Sequence, residues 1–354
     1  MLKAEYDERC EDLIRGFKTS LPGTGDARDQ QNETFFIVKP PDLSMKPTRT
    51  LGPYKNCVHH YSGLFSSIYL TPSPFDPPRI LAIKLTTPGN ESLPHNSKRE
   101  ARILRSCVHM NIIKLLETHQ IPNSSDFLLV YPFQPLTLTE LLSSTTLVAS
   151  SVLRDIFSAL AFIHEQGVIH RDIKPTNVLL SSVTGPALLA DFGIAWSRDD
   201  PASETAAAKI TDIGTTCYRA PELLFGNRCY NEAVDLWAAG CLVAEVFMHN
   251  AEPAKGNEWT LFDAGELGSE LALVKSIFET LGTPDERTWP ETKDLPDWGK
   301  MTFIDFPAKG WEAILPKVAG KGKDIVKGLV QYESKWRTRP EKVERQLSLL
   351  GGQA

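Results

Sequence analysis

The hydrophobic pattern changes its period once along the chain, and that change restricts the fold more than any other feature. From about residue 51 to 133 the apolar residues come in short runs. Arg79-Ile-Leu-Ala-Ile-Lys-Leu85 is bounded by prolines, and Phe127-Leu-Leu-Val-Tyr131 is stopped by Pro132, so both read as strands. Between them, Lys98–Leu104 has helical character. Beyond Leu136 the spacing is that of helices. Leu153, Ile156, Phe157, Leu160 and Ile163 recur at i, i+3, i+4, and Gly167 is placed to end that helix. Residues 233–248 are apolar almost all round, as in a core helix. Leu271, Val274, Phe278 and Leu281 make a further stripe, stopped by Gly282 and Pro284. A small strand-rich part followed by a larger helical part predicts a segregated α+β fold rather than alternating βα units.

At 354 residues and 42% hydrophobic content, the chain suits one large domain or two ordinary ones. Residues 1–50 are rich in Pro, Gly, Asp, Gln and Thr after a short helical pattern near Glu11–Phe17, and are expected to form a flexible extension. The net charge of −6 offers no basic stripe for nucleic acid. The six cysteines (Cys10, Cys57, Cys107, Cys217, Cys229 and Cys241) form no CxxC pair, which points to reduced, mostly buried thiols and a reducing compartment, cytoplasm or nucleus. The first residues are charged and lack a signal core. The apolar stretch Ala233–Phe247 contains Asp235 and Glu245 and is too short to span a bilayer, so no membrane partner is expected.

Three short motifs carry the chemistry. His170-Arg-Asp-Ile-Lys-Pro-Thr-Asn177 is followed by Asp191-Phe-Gly193 and then by Ala220-Pro-Glu222. In this order they resemble the eukaryotic protein kinases, and the resemblance spans about residues 51–349. It implies a bilobal domain, with an N-lobe at about 51–133 and a C-lobe at about 134–349, moving the γ-phosphate of ATP to protein serine or threonine. Such a transfer needs positioning and charge neutralisation rather than covalent help. The resemblance makes Asp172 the base or orienter of the incoming hydroxyl. It puts Lys174 on the γ-phosphate and Thr215 among the catalytic residues. Asn177 and Asp191 would offer oxygens to Mg2+, a hard cation that prefers them. An isolated His-Arg-Asp is more often a surface ion pair; the ordered set is not.

Lys84 stands in Leu81-Ala-Ile-Lys84, close to the family's V-A-I-K strand, where Ala82 and Lys84 share a face. The resemblance lays Ala82 on adenine and Lys84 on the α- and β-phosphates, with Glu100 as the lysine's ion-pair partner. Ser97-x-x-Glu100 also reads as a helix capping box. The glycine-rich loop departs from the family. Residues 61–68 read Tyr61-Ser-Gly-Leu-Phe-Ser-Ser-Ile68, which keeps only Gly63 of three glycines, and this is expected to stiffen or lift the flap. Ile68 keeps the family's spacing to Lys84. Tyr131 takes the gatekeeper place, Pro132 and Gln134 the hinge, and Leu179 the adenine floor. Asp235 is expected to bond the catalytic-loop backbone, and Glu222 to pair with Arg337.

Tyr218-Arg-Ala-Pro-Glu222, Thr280-Leu-Gly-Thr-Pro-Asp285 and Trp289-Pro290 resemble the cyclin-dependent kinases. There an activating phosphothreonine lies 12 residues before the APE glutamate, and three arginines hold it. Here that position is Ile210; Arg99 and Arg171 match two of the arginines, and the third is Trp196. The PSTAIRE cyclin-binding sequence is absent. The pattern resembles divergent fungal CDK-activating kinases, which implies a protein substrate that is itself a cyclin-dependent kinase and a monomeric enzyme. A scaffold of the pseudokinase type and a cyclin-requiring kinase are the alternatives. Packing of Trp196 and Ile210, against each other or the lobe, is one way to order the activation segment without a phosphate; a phosphosite shifted to Thr211, Thr205 or Ser203 is the alternative.

Overall fold

The computed structural model describes residues 47–73, 80–144, 149–251 and 259–351. Most of the expected extension, with its helical pattern at Glu11–Phe17, lies outside these residues. The strand-patterned part folds into a six-stranded antiparallel sheet ordered β1-β2-β3-β4-β6-β5. Its strands are β1 (Thr48–Leu51), β2 (Tyr54–Ser62), β3 (Ser66–Pro72), β4 (Ile80–Thr86), β5 (Glu117–Gln120) and β6 (Phe127–Pro132). Side chains alternate across the sheet. Leu81, Ile83, Leu128 and Val130 fill one face with Leu51, Tyr54, Cys57 and Tyr69. Leu129 and Tyr131 turn the other way, toward Ala101, Ile103 and Leu104 of α1 (Ser97–Ser106).

The N-cap of α1 is Asn96, whose side chain accepts from the Arg99 N–H at 2.8 Å. The capping-box reading of Ser97 therefore fails: Ser97 is already the first helical residue and donates its N–H to Glu91.

The remainder is helical, with α2 (Leu138–Ser144), α3 (Ala149–Glu165), α4 (Pro221–Leu224), α5 (Ala233–Ala251), α6 (Glu270–Leu281), α7 (Trp311–Ile314), α8 (Gly320–Leu329) and α9 (Pro340–Gly351). The α3 stripe from Leu153 to Ile163 is buried as its spacing requires, and Gly167 leaves the helix with φ +68°. Helix α5 is buried nearly all round and packs on α8. Gly240 permits this, since a Cβ there would stand 2.7 Å from Val330 Cγ2 and 2.8 Å from Leu329 Cβ. The stripe expected on α6 is rotated. Leu271 is 60% exposed, whereas Leu273, Val274, Ile277 and Phe278 face the core. No helix among the described residues is long and apolar enough to cross a membrane. Of the described cysteines, none of them in a disulfide, Cys57, Cys107 and Cys241 are buried, Cys217 is half-buried and Cys229 exposed.

Small strands hold the connecting loops in place. β7 (Leu136–Thr137), β9 (Val178–Leu180) and β10 (Ala187–Leu189) form one sheet. β8 (Val168–Ile169) pairs with β11 (Trp196–Ser197). The stretches 170–177 and 190–195 thus leave strand ends and meet beneath the large sheet.

Candidate active site

Register puts the first group of site residues on one face. Lys84 stands opposite Ile68 on β3 and Leu129 on β6, and Ala82 stands opposite Leu70 and Tyr131. The Lys84 ammonium reaches both Glu100 oxygens, at 3.0 and 2.9 Å, and Asp191 Oδ1 at 2.8 Å. Burial opposes its charge, but the Asp191 and Glu100 carboxylates hold its pKa above the ordinary lysine value. The same ammonium keeps Asp191 well below the usual carboxylate range. Glu100 is pushed up by its burial, against the pull of Lys84. The Tyr131 hydroxyl donates to Glu100 Oε1 at 3.1 Å, a contact the sequence reading lacks.

Helix α1 and the Asp-Phe-Gly turn are also joined directly. The Asn96 N–H donates to the Gly193 carbonyl at 3.0 Å. A Cβ at Gly193 would lie 3.1 Å from Asp191 Oδ1, 3.4 Å from Glu100 Oε2 and 3.5 Å from Lys84 Nζ. Glycine there leaves room for the three charges to meet.

The second group hangs from Asp235 on α5. Its two oxygens accept from the N–H groups of His170 and Arg171, each at 2.8 Å, as the sequence predicts. His164 Nε2 adds a contact at 2.9 Å. His170 is fully buried, and burial lowers its pKa. A neutral ring protonated on Nε2 fits both neighbours: Nε2 donates to the Ala190 carbonyl at 3.0 Å, and Nδ1 accepts from the Asp172 N–H at 3.2 Å. The loop thereby presents Asp172 to the cleft. The Lys174 ammonium lies 2.8 Å from Asp172 Oδ2 and donates to Thr215 Oγ1 at 2.7 Å, while the Thr215 hydroxyl donates to Asp172 Oδ1 at 2.9 Å. Asn177 Nδ2 donates to the Asp172 backbone and side chain, at 2.8 and 2.9 Å. With its amide nitrogen committed, the carbonyl oxygen of Asn177 is left for another partner. Asp191, held through one oxygen and half exposed, likewise keeps an oxygen to offer. Two hard donors of this kind suit a divalent cation. No group of three or more His, Cys, Asp or Glu able to hold a metal ion occurs among the described residues, so further oxygens would have to come from elsewhere, such as phosphates.

The departed glycine loop still folds as a hairpin. Gly63 N–H donates to the Ser66 carbonyl at 2.8 Å, and the Ser62 and Ser67 hydroxyls meet across the strands at 3.1 Å. Tyr61, at the first missing glycine, turns outward and is 58% exposed. The flap is not lifted: Phe65 at its tip packs on His95, ring centroids 4.5 Å apart, just ahead of α1. At the opposite wall, Pro132 pairs with Leu81, Phe133 donates to Ile80, Gln134 is partly buried, and Leu179 on β9 packs at the core margin.

The activation segment holds a residue absent from the sequence reading. Trp196 is buried and Ile210 packs partly buried on the same lobe core. The charge facing the two arginines, however, is Glu204, whose carboxylate lies 3.2 Å from Arg171 and 3.8 Å from Arg99. The sequence carries one signal for it. Losing both the phosphate acceptor and the third arginine leaves two arginines in need of an anion, and Glu204 is an acid of the same segment. Glu222 and Arg337 pair as expected, at 2.5 and 2.7 Å and fully buried.

A lysine–glutamate–aspartate cluster under a β-hairpin flap, facing an Asp–Lys–Thr–Asn loop, defines a phosphoryl-transfer enzyme. The sequence matches the protein kinase domain over residues 62–346, and the chain belongs to that family. It is 38% identical over 246 residues to the serine/threonine-protein kinase csk1 of Schizosaccharomyces pombe, covering 68% of this chain and 77% of that protein. It is 34% identical over 253 residues to cyclin-dependent kinase 20 of Danio rerio, covering 70% and 68%. The chain is a serine/threonine protein kinase of cyclin-dependent-kinase-like type. Membership of the family brings ATP, a divalent metal and protein substrates with it.

Proposed function

We propose that this kinase phosphorylates the activation segment of a cyclin-dependent kinase, acts as a monomer without a cyclin, and works in the cytoplasm or nucleus. The observation that carries this reading is Glu204 between Arg99 and Arg171: the pocket that takes a phosphate in the family is already filled from within. An enzyme placed upstream of other kinases needs such independence.

In this reading Lys84, held by Glu100, binds the α- and β-phosphates, and Ile68, Ala82, Tyr131 and Leu179 enclose adenine, with Gly63 at the flap. Pro132 and Gln134 supply the hinge's hydrogen bonds. Asp172 orients the substrate hydroxyl and accepts its proton. Thr215, bonded to both Asp172 and Lys174, fixes the base and the γ-phosphate lysine at one separation. Asn177 and Asp191 would hold Mg2+, which neutralises phosphate charge when bound.

The test is transfer by the purified chain alone to an unphosphorylated cyclin-dependent kinase, with Asp172→Asn and Lys84→Met as controls. Threonine phosphorylation in the substrate's activation segment is expected without added cyclin. Each control should lose about 10²–10³-fold or more in kcat, as for groups aimed at developing charge, while keeping its melting temperature. A wild-type chain that transfers only once a cyclin is added, or a control with near-normal turnover, overturns the proposal.

A further inference from the structure

The segment that follows the Asp-Phe-Gly turn grips α1 at three points. Asp200 makes a two-pronged pair with Arg102, at 2.7 and 2.9 Å. The Ala202 carbonyl accepts from Arg99 at 3.3 Å. Glu204 then spans Arg99 of α1 and Arg171 of the catalytic loop. Both of these arginine side chains are 0% exposed, and each has a buried Nε without a partner. Two adjacent buried guanidinium groups repel, and a single carboxylate between them relieves both.

The residue that replaces the third arginine holds the backbone from which that carboxylate hangs. The Trp196 indole N–H donates to the Glu204 carbonyl at 2.8 Å. The Lys209 ammonium lies over the Trp196 ring at 4.9 Å and the Tyr230 ring at 5.1 Å, and donates to the Tyr230 carbonyl at 2.7 Å. The guanidinium of Arg171 also lies over the Tyr230 ring, 5.5 Å from its centroid.

We infer that Asp200 and Glu204 are positioning residues, an internal clasp that holds α1, and with it Glu100, against Lys84 in place of a phosphorylated activation segment. The inference rests on the kinase reading and deepens it by naming what regulates the site. It assigns Arg102, Trp196 and Lys209 supporting roles. It also makes Ser203, Thr205 and Thr211 dispensable as phosphate acceptors.

The experiment begins with wild-type protein shown by mass spectrometry to be unmodified over residues 194–216. Such protein is expected to be fully active. Glu204→Gln keeps the shape and removes the charge. It should lower kcat tenfold or more, change the KM for ATP less than threefold, and speed amide exchange across residues 97–106. Turnover above half of wild type in Glu204→Gln, or activity that appears only after phosphorylation of Ser203, Thr205 or Thr211, overturns the clasp.

Because a buried change can unfold a protein, the Arg102–Asp200 pair, whose arginine is 42% exposed, supplies a second arm. Arg102→Asp and Asp200→Arg should each reduce turnover, and the double exchange should restore it. A double variant no better than the singles counts against the inference. Amide exchange needs no substrate, and turnover is read on a general basic protein. A chain inactive on cyclin-dependent kinases but active there therefore removes the proposed substrate without touching the clasp.

Discussion

At Glu100 an ammonium and an aromatic hydroxyl converge on one buried carboxylate. Lys84 donates to both of its oxygens and Tyr131 to one, and the carboxylate and the tyrosine are buried. A hydrogen bond to a buried charge contributes about 1.5–3 kcal/mol. Tyr131→Phe should therefore lower the unfolding free energy by roughly that amount in denaturant titration, with a several-fold loss of turnover. An unchanged midpoint would mean that the hydroxyl contributes nothing to holding Glu100. Gly193→Ala sets a methyl group 3.1 Å from Asp191 Oδ1, a tight approach that would shift this carboxylate, and is expected to weaken nucleotide binding at least tenfold in calorimetry. The Lys84–Glu100 pair was legible in the sequence because fixed chemistry marks both positions. Glu204 was not, since an acid that serves a pocket from within its own loop obeys no fixed spacing. Nor was the Tyr131 hydroxyl, since an aromatic in an apolar strand reads equally as core.

Among the elements, the flap and α1 show how local chemistry can replace a lost motif. Glycines let phosphate approach the backbone without a Cβ in the way. This hairpin instead has Tyr61 turned outward, a Ser62–Ser67 contact across its strands and Phe65 set on His95. Restoring glycine at Tyr61 and Ser66 together should change the KM for ATP or kcat; identical values in both would mean that the loop does not touch phosphate. For α1, Asn96→Ala removes a cap worth about 1 kcal/mol. It should lower stability by that amount and raise amide exchange in the first turn. The strand and helix segments were readable from their periods, because one-sided burial imposes them. The exposed Leu271 was misread because α6 presents a second set of apolar residues, one turn position over, and only packing decides between them.

At the scale of the whole molecule, charge sets the acid limit. Asp200 is held below the ordinary carboxylate range by Arg102. In Glu204 and Asp235 burial pushes upward, but Arg171 and His164 respectively outweigh it and leave both lowered. A carboxylate lowered by folding adds stability above its unfolded pKa, and that stability is lost as pH falls through the folded value. Stability should thus decline from roughly pH 4 downward. Melting curves across that range should show a shallower decline in Glu204→Gln; a parallel decline would assign the acid loss elsewhere. Glu222 and Arg337 tie the two ends of the helical part together, with the Arg337 guanidinium also donating to the Ala233 and Tyr332 carbonyls. Removing either partner leaves a bare buried charge and should cost about 3–5 kcal/mol in chemical denaturation. The same pair has a meaning for biosynthesis. Glu222 leaves the ribosome 115 residues ahead of its counter-charge. At typical elongation rates that gap lasts about 6–23 s. During it the carboxylate can be buried only as the neutral acid or left in water, so the helical lobe closes only after Arg337 has been translated.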